Sequence, residues 1–222
     1  MIQHLLQLIW NQRKQNAWLW AELLLVSVFL WFLVDYLYVM GRTYTAPLGF
    51  DIRHTYSIVI SSLSERSPDY IPTEKRERPD GVHLLTALDR IRTYPGVESA
   101  CLTDGGMPYY MGSRNLVWRI DTLQVPCRYA FVPPEFFDVF RIYDKDGKTA
   151  SLKRAIEHNT SIVISADVET MNPGLSLLGQ KAYRGNVTDE IEETIRGISV
   201  PIRRHEYTKA EPNVYRALRL SR

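Results

Sequence analysis

The sequence predicts an α+β fold tied to a membrane by a single amino-terminal helix. Three observations predict it. The stretch Ala17–Met40 (AWLWAELLLVSVFLWFLVDYLYVM) runs 24 residues with only Glu22 and Asp35 ionisable. Beyond it, helix-period and strand-period segments alternate irregularly over residues 41–222. No repeat with a period of about 20–50 residues organises them, which excludes solenoids and propellers.

Residues 1–16 predict an interfacial amphipathic helix, with the fraying start of one long helix as the alternative. Ile2, Leu5, Leu6, Ile9 and Trp10 share one helical face, and Gln3, His4, Gln7, Asn11 and Lys14 fall mostly on the other. Residues 17–40 predict the membrane-spanning helix. As a helix the run reaches about 36 Å, enough for a hydrocarbon layer of roughly 30 Å with some tilt. Trp18, Trp20, Tyr36 and Tyr38 stand toward its ends, where amphipathic rings favour the headgroup level. A cleaved signal peptide would need a small-x-small site, and Val39-Met40-Gly41-Arg42-Thr43-Tyr44 is bulky where it matters. Arg13 and Lys14 before the span are matched by Arg42 and Arg53 after it, so flanking charge alone does not orient it. Glu22 and Asp35 are shallow enough for interfacial placement, with pairing to a neighbouring helix as the alternative.

Residues 41–222 predict a folded domain. Gly41–Phe50 reads as a linker and His54–Leu63, rich in β-branched residues, as a strand. Ser64–Asp80, with three prolines and the charge run Glu74–Arg78, reads as a solvated loop. Leu84, Leu85, Leu88 and Ile91 mark a helix opened by Asp80-Gly81 and stopped by Tyr94-Pro95-Gly96. Val97–Thr103 is expected as a short strand and Asp104–Ser113 as a Gly- and Met-rich loop. Leu116–Ile120 and Leu123–Val132 are expected to pair, with Pro133-Pro134 ending the second. Pro134–Phe140 predicts a short helical turn packing three phenylalanines. Asp144–Gly147 is a plain turn, because with Gly147 at the glycine position a calcium loop would begin on Ile142 and end on Lys153. Ser161–Ser165 is expected as a buried strand, Ala166–Met171 as a short helix and Gly174–Gly179 as a turn. Strands over Glu193–Val200 and Asn213–Leu218 follow.

The totals narrow the function. Of 27 Lys+Arg and 25 Asp+Glu, the first 40 residues hold two of each, so the remainder carries the whole +2. That balance, with no basic stripe interleaved with aromatics, argues against nucleic acid as a partner. Two cysteines, Cys101 and Cys127, are too few for a disulfide scaffold. They are read either as unpaired buried hydrophobes or as one bridge in an oxidising compartment. No phosphate-cradling glycine loop, nucleophile elbow or zinc-helix motif occurs, and the five histidines are scattered. Asp189-Glu190 and Glu192-Glu193 read as solvated charge. No catalytic, cofactor-binding or metal-ligating residue is therefore assigned, and no cofactor; an enzyme is not expected.

Five segments in order carry a family resemblance. They are Ile9–Val39, with a basic-polar entry into an apolar helix, and the helix-to-strand passage IRTYPGVESACLT (Ile91–Thr103). FVPPEFFDVFRI (Phe131–Ile142), SIVISADVETM…LLGQKA (Ser161–Ala182) and TIRGISVPIRRHEYTKAEPNVY (Thr194–Tyr215) complete the set. Together they resemble the first membrane helix and periplasmic core of MacB/FtsX-like ABC transporter permeases. The resemblance implies two small α/β subdomains in the periplasm, a cytoplasmic amino terminus and residence in the bacterial inner membrane, in contact with lipid. It implies a homo- or heterodimer driven by a separate ABC ATPase subunit, in efflux, export or lipoprotein handling. Family members carry three further membrane helices and more periplasmic domain. No second apolar run of spanning length follows Met40, so a fragment or a truncated relative is expected. The alternative is a single-span periplasmic binding or adaptor protein without transport activity.

Overall fold

In a computed structural model of the chain the apolar run forms one uninterrupted helix, α1 (Ala17–Thr45), five residues longer at its end than the apolar pattern suggests. Residues 3, 4, 7, 10, 14, 17–61, 63–72, 75, 80–110, 112, 114–158, 160–184 and 190–219 are described. The expected interfacial helix over 1–16 and the charge run 74–78 fall largely outside them. At 1.5 Å per residue α1 is about 43 Å long. Among the described residues none of this helix is buried. The Ser27 hydroxyl donates to the Leu23 carbonyl at 2.7 Å, which satisfies its one polar group in the apolar stretch within the helix itself. Arg42 in the last turn complements the negative end of the helix dipole.

Met1–Ala46 and Pro47–Arg222 are separate compact units. In the second, six strands close into a barrel: β1 (Arg114–Ile120), β2 (Leu123–Val132), β3 (Ser161–Ser165), β4 (Lys181–Arg184), β5 (Ile191–Ser199) and β6 (Asn213–Ala217). Round the barrel the order is β1-β2-β6-β3-β5-β4, with β4 pairing back to β1. The pairs β2–β6 and β3–β5 are parallel and the others antiparallel. Helices α2 (Asp80–Arg92), α3 (Phe136–Val139), α4 (Ala150–Glu157) and α5 (Asp167–Met171) accompany it.

Strand alternation divides the apolar residues between two faces. Trp118, Ile120, Val125, Cys127, Ile162, Ile164, Ala182, Ile195 and Val214 form one cluster, drawn from all six strands, that fills the barrel. Their neighbours Ala130, Val132, Val163 and Tyr215 point outward and join Phe136, Phe137, Phe140, Leu152, Ala155 and Ile156 in a second cluster under α3 and α4. Gly197 makes the contact with α4 possible. A Cβ there would come within 2.9 Å of Val163 Cγ2 and 3.1 Å of Ala155 Cβ, closer than side chains tolerate. At the same point β3 and β5 shift register, Ile162 facing Ile195 and Val163 facing Gly197.

The hairpin β1–β2, the phenylalanine turn, the buried strand β3 and the strands at 191–199 and 213–217 lie where the sequence put them. Two expected strands do not form. His54–Leu63 adopts no strand in its described residues, and Tyr56, Ile58, Val59 and Ile60 stand exposed. β-branched composition makes a strand only where a partner edge exists, and a closed barrel leaves none. Val97–Thr103 is irregular as well. Its neighbourhood reaches the sheet only at the isolated bridge between Asp104 and Phe131. A further correction concerns Glu193, read from sequence as solvated. It is 2% exposed, because its place on β5 turns it inward, two positions before Ile195.

Candidate functional site

Above the outer face of β2 and β6 the chain leaves a cavity of about 250 Å³. Its wall comes from Arg128 and Ala130 on β2, Asn213 and Tyr215 on β6, residues 202–204 and the loop Asp104–Gly112. The loop can lie this close because Gly106, at φ +75°, has no side chain. A Cβ there would sit 2.7 Å from that of Ala130. Tyr109 holds the loop down. Its hydroxyl donates to Glu206, its amide to the Arg204 carbonyl at 3.2 Å, and its ring meets Phe50 edge-on at 5.9 Å. It does so at φ 60°, a backbone region uncommon for an aromatic residue.

Four arginines line this cavity, and two of them are occupied. Arg114 forms an ion pair with Asp104 at 2.6 Å on the half-exposed rim. Arg203 donates to the carbonyls of Thr208, at 2.7 Å, and Glu206, which shapes the 203–208 turn. Arg128 and Arg204 form no ion pair among the described residues, and the Nε–H of each is buried without an acceptor. Burial, then the neighbouring Arg204 charge, pushes the Arg128 guanidinium down, with Glu211 opposing from beyond ion-pair distance. Arginine stays protonated through such shifts, so the two like charges persist on the wall of one cavity. An unmade hydrogen bond of a buried donor costs about 1–3 kcal/mol, more for a charged group.

Elsewhere in the unit Asp167, at the start of α5, has its Oδ2 buried without a hydrogen-bond partner. Burial raises its carboxyl above the ordinary 3.8, and the Ser165 hydroxyl and Ile202 amide only partly offset this. The folded protein therefore holds the Asp167 proton more tightly than the unfolded chain. That contribution to stability is complete below the unfolded value and is lost as pH rises through the folded one. Asp51 works in the opposite sense. Hydrogen bonds from Arg53 lower it to about 2, so its contribution is present above its ordinary value and lost as pH falls toward 2. Asp167→Asn is expected to raise the thermal midpoint at pH 7 and leave it nearly unchanged at pH 4. A lower midpoint for the variant at pH 7 would show that ionised Asp167 has a stabilising partner.

A third charged group closes the barrel interior. Glu193 Oε1 accepts from Arg216 Nε at 2.7 Å, and Oε2 lies 3.7 Å from Arg184 Nε. The Arg216 guanidinium also stacks on Phe131, 5.0 Å from its ring centre. The triad is a structural plug: its charges lie within ion-pair distance of one another, although Arg184 Nε and Glu193 Oε2 make no hydrogen bond.

Sequence reasoning assigned no site residue, and neither unpaired arginine was singled out. Arg128 carries no signal of its own, and that of Arg204 is the doublet Arg203-Arg204 at the end of the mostly apolar run Ile198–Ile202. Cys101 and Cys127 are both free, the first half-buried and the second buried inside the barrel. Burial raises the thiol of Cys127 to about 12 and that of Cys101 to about 11, so neither is a nucleophile at neutral pH.

An apolar helix long enough to cross a membrane thus precedes a unit built on a mixed α+β barrel. No family model matches the chain, and no curated protein does. Among solved structures it is similar to a domain assigned to a permease protein of Porphyromonas gingivalis, with TM-score 0.42 and 20% identity over 58% of this chain and 49% of that one. It is similar to the periplasmic region of MacB from Actinobacillus actinomycetemcomitans, with TM-score 0.41 and 10% identity over 60% and 54%. The extracellular domain of the noncanonic ABC-type transporter YknZ from Gram-positive bacteria gives TM-score 0.40 and 13% identity over 59% of each chain. The chain thus spans about half to three-fifths of the length of these structures.

Proposed function

We propose that the chain is a permease subunit, or the amino-terminal part of one, in a MacB/FtsX-like ABC transporter. One observation carries the reading. A 29-residue helix with no buried residue leads directly into a folded unit in which four of the five resembling segments lie in order. So long an apolar surface is stable only in hydrocarbon. In this reading the amino terminus is cytoplasmic, residues 41–222 are periplasmic, and lipid of the bacterial inner membrane surrounds residues 17–40. The barrel forms one of the two small α/β subdomains, and the segment with α2 contributes to the other. The chain itself has no catalytic role. A separate ATPase subunit hydrolyses ATP, and a dimer of permease chains turns that into conformational work outside the membrane, in efflux, export or lipoprotein handling.

Capture of the full chain from its native membranes after mild cross-linking tests this directly. An ABC ATPase subunit is expected in the captured material. Its absence, with a periplasmic partner recovered instead, selects the second reading, a single-span binding or adaptor protein. The unoccupied charge of the arginine-lined cavity favours that alternative. Orientation has its own test. Alkaline phosphatase fused after residue 222 is expected to be active in cells, while a cytoplasmic reporter at the same position stays silent. The reverse pattern would overturn the assigned topology.

A further inference from the structure

The two unoccupied arginines make a specific demand. Arg128 lies on β2 and Arg204 in the 202–204 segment, and both line the cavity beneath the Asp104–Gly112 loop. A fold gains nothing from two coupled guanidiniums without a counter-charge, and the carboxylates nearest in the chain and fold are engaged elsewhere. Asp104 is committed to Arg114, Glu206 to Tyr109, and Glu193 is inside the barrel with Arg216. Glu211 acts on Arg128 only from a distance.

The remaining wall is apolar and aromatic, with Phe50, Met107, Tyr110 and Ile202 lining the same space. The volume of about 250 Å³ falls just short of the range for drug-sized ligands, so the occupant is small. Planar guanidinium forks match the paired oxygens of carboxylates and phosphates.

We propose that this cavity binds a small organic oxyanion, a carboxylate or a phosphate ester with an apolar body, between the guanidiniums of Arg128 and Arg204. The anion supplies the acceptors that both Nε–H groups lack, and the aromatic wall holds its body. The assignment is independent of the transporter reading, since a permease subunit and an adaptor would both present the cavity.

The test uses the full chain in detergent at constant ionic strength and three probes: N-acetylphenylalanine, phenyl phosphate and N-acetylphenylalanine amide. At least one of the two anions is expected to bind saturably by calorimetry and to raise the thermal midpoint. Which anion does so identifies the carboxylate or the phosphate as the recognised group. The neutral amide is expected not to bind. Arg128→Gln and Arg204→Gln are each expected to weaken the anion roughly tenfold to a hundredfold, the range for a lost hydrogen bond to a charged group. The ligand-free midpoint of Arg204→Gln should hold or rise, because a like-charge contact is removed. Should a glutamine variant fail to fold, the amide comparison on the unmodified chain still decides. Binding of the amide as tight as the acid, binding of neither anion, or full affinity in both folded glutamine variants would each overturn the proposal.

Discussion

Glu193→Ala is expected to destabilise the 47–222 unit by about 3–5 kcal/mol, the cost of leaving a buried charge unpaired. The carboxylate is 3% exposed at its side chain and sits between Arg216 and Arg184, themselves 17% and 25% exposed. Removing it strands two guanidiniums at the end of an apolar barrel. For a domain of this size the loss corresponds to about 6–20 °C in thermal midpoint. Labelling of the Cys127 thiol in a Cys101→Ser background reads it out, because Cys127 is 1% exposed and reacts only when the barrel opens. The double variant Glu193→Ala/Arg216→Met is expected to recover part of the loss, since deleting both partners of a buried pair is far less costly than deleting one. A single variant that melts within about 2 °C of the parent would mean that water enters the barrel end and solvates the triad.

Phe136→Ala is expected to be comparably damaging, at about 3–5 kcal/mol for a truncated buried aromatic. Phe136 is fully buried on α3 and is the hub of the outer cluster. Its ring lies 4.7 Å from Phe140, 5.5 Å from Tyr215 and 5.9 Å from Phe137. No single neighbour can fill the void, because Phe137 and Tyr215 are themselves locked edge-on at 5.7 Å. Phe136→Leu, which keeps most of the volume, is expected to cost less than about 1.5 kcal/mol. Equal losses from the two variants would shift the explanation from packing to ring-specific contacts. The same Cys127 labelling measures both.

The errors of the sequence reading follow from what each signal reports. Helix α4 was passed over although Leu152, Ala155 and Ile156 repeat at helical spacing, because eight residues give too short a window for periodicity. Strand β4, four residues of KAYR, has no strand signal of its own and forms because β1 and β5 offer edges on both sides. His54–Leu63 is the converse, with a strong strand composition and no edge to join. Glu193 and Asp189-Glu190 looked alike as charged sequence. Only the alternation of β5 within a closed barrel carries Glu193 inward, while Glu190 remains at the surface paired with Arg119. Arg128 and Arg204 carry no joint signal in the sequence, because they are far apart in the chain and unremarkable singly.

By itself the sequence determined the apolar span, the hairpin β1–β2, the phenylalanine turn and the buried run of β3. Each of these follows from interactions among residues close in the chain: contiguous hydrophobicity, a two-residue turn, or local helical spacing. The tertiary structure decided the order of the strands, the closure of β4 onto β1, the burial of Glu193 and the meeting of two arginines without a counter-charge. Those outcomes depend on which distant segments share a wall, and a free energy of that kind is a property of pairs that no single segment contains.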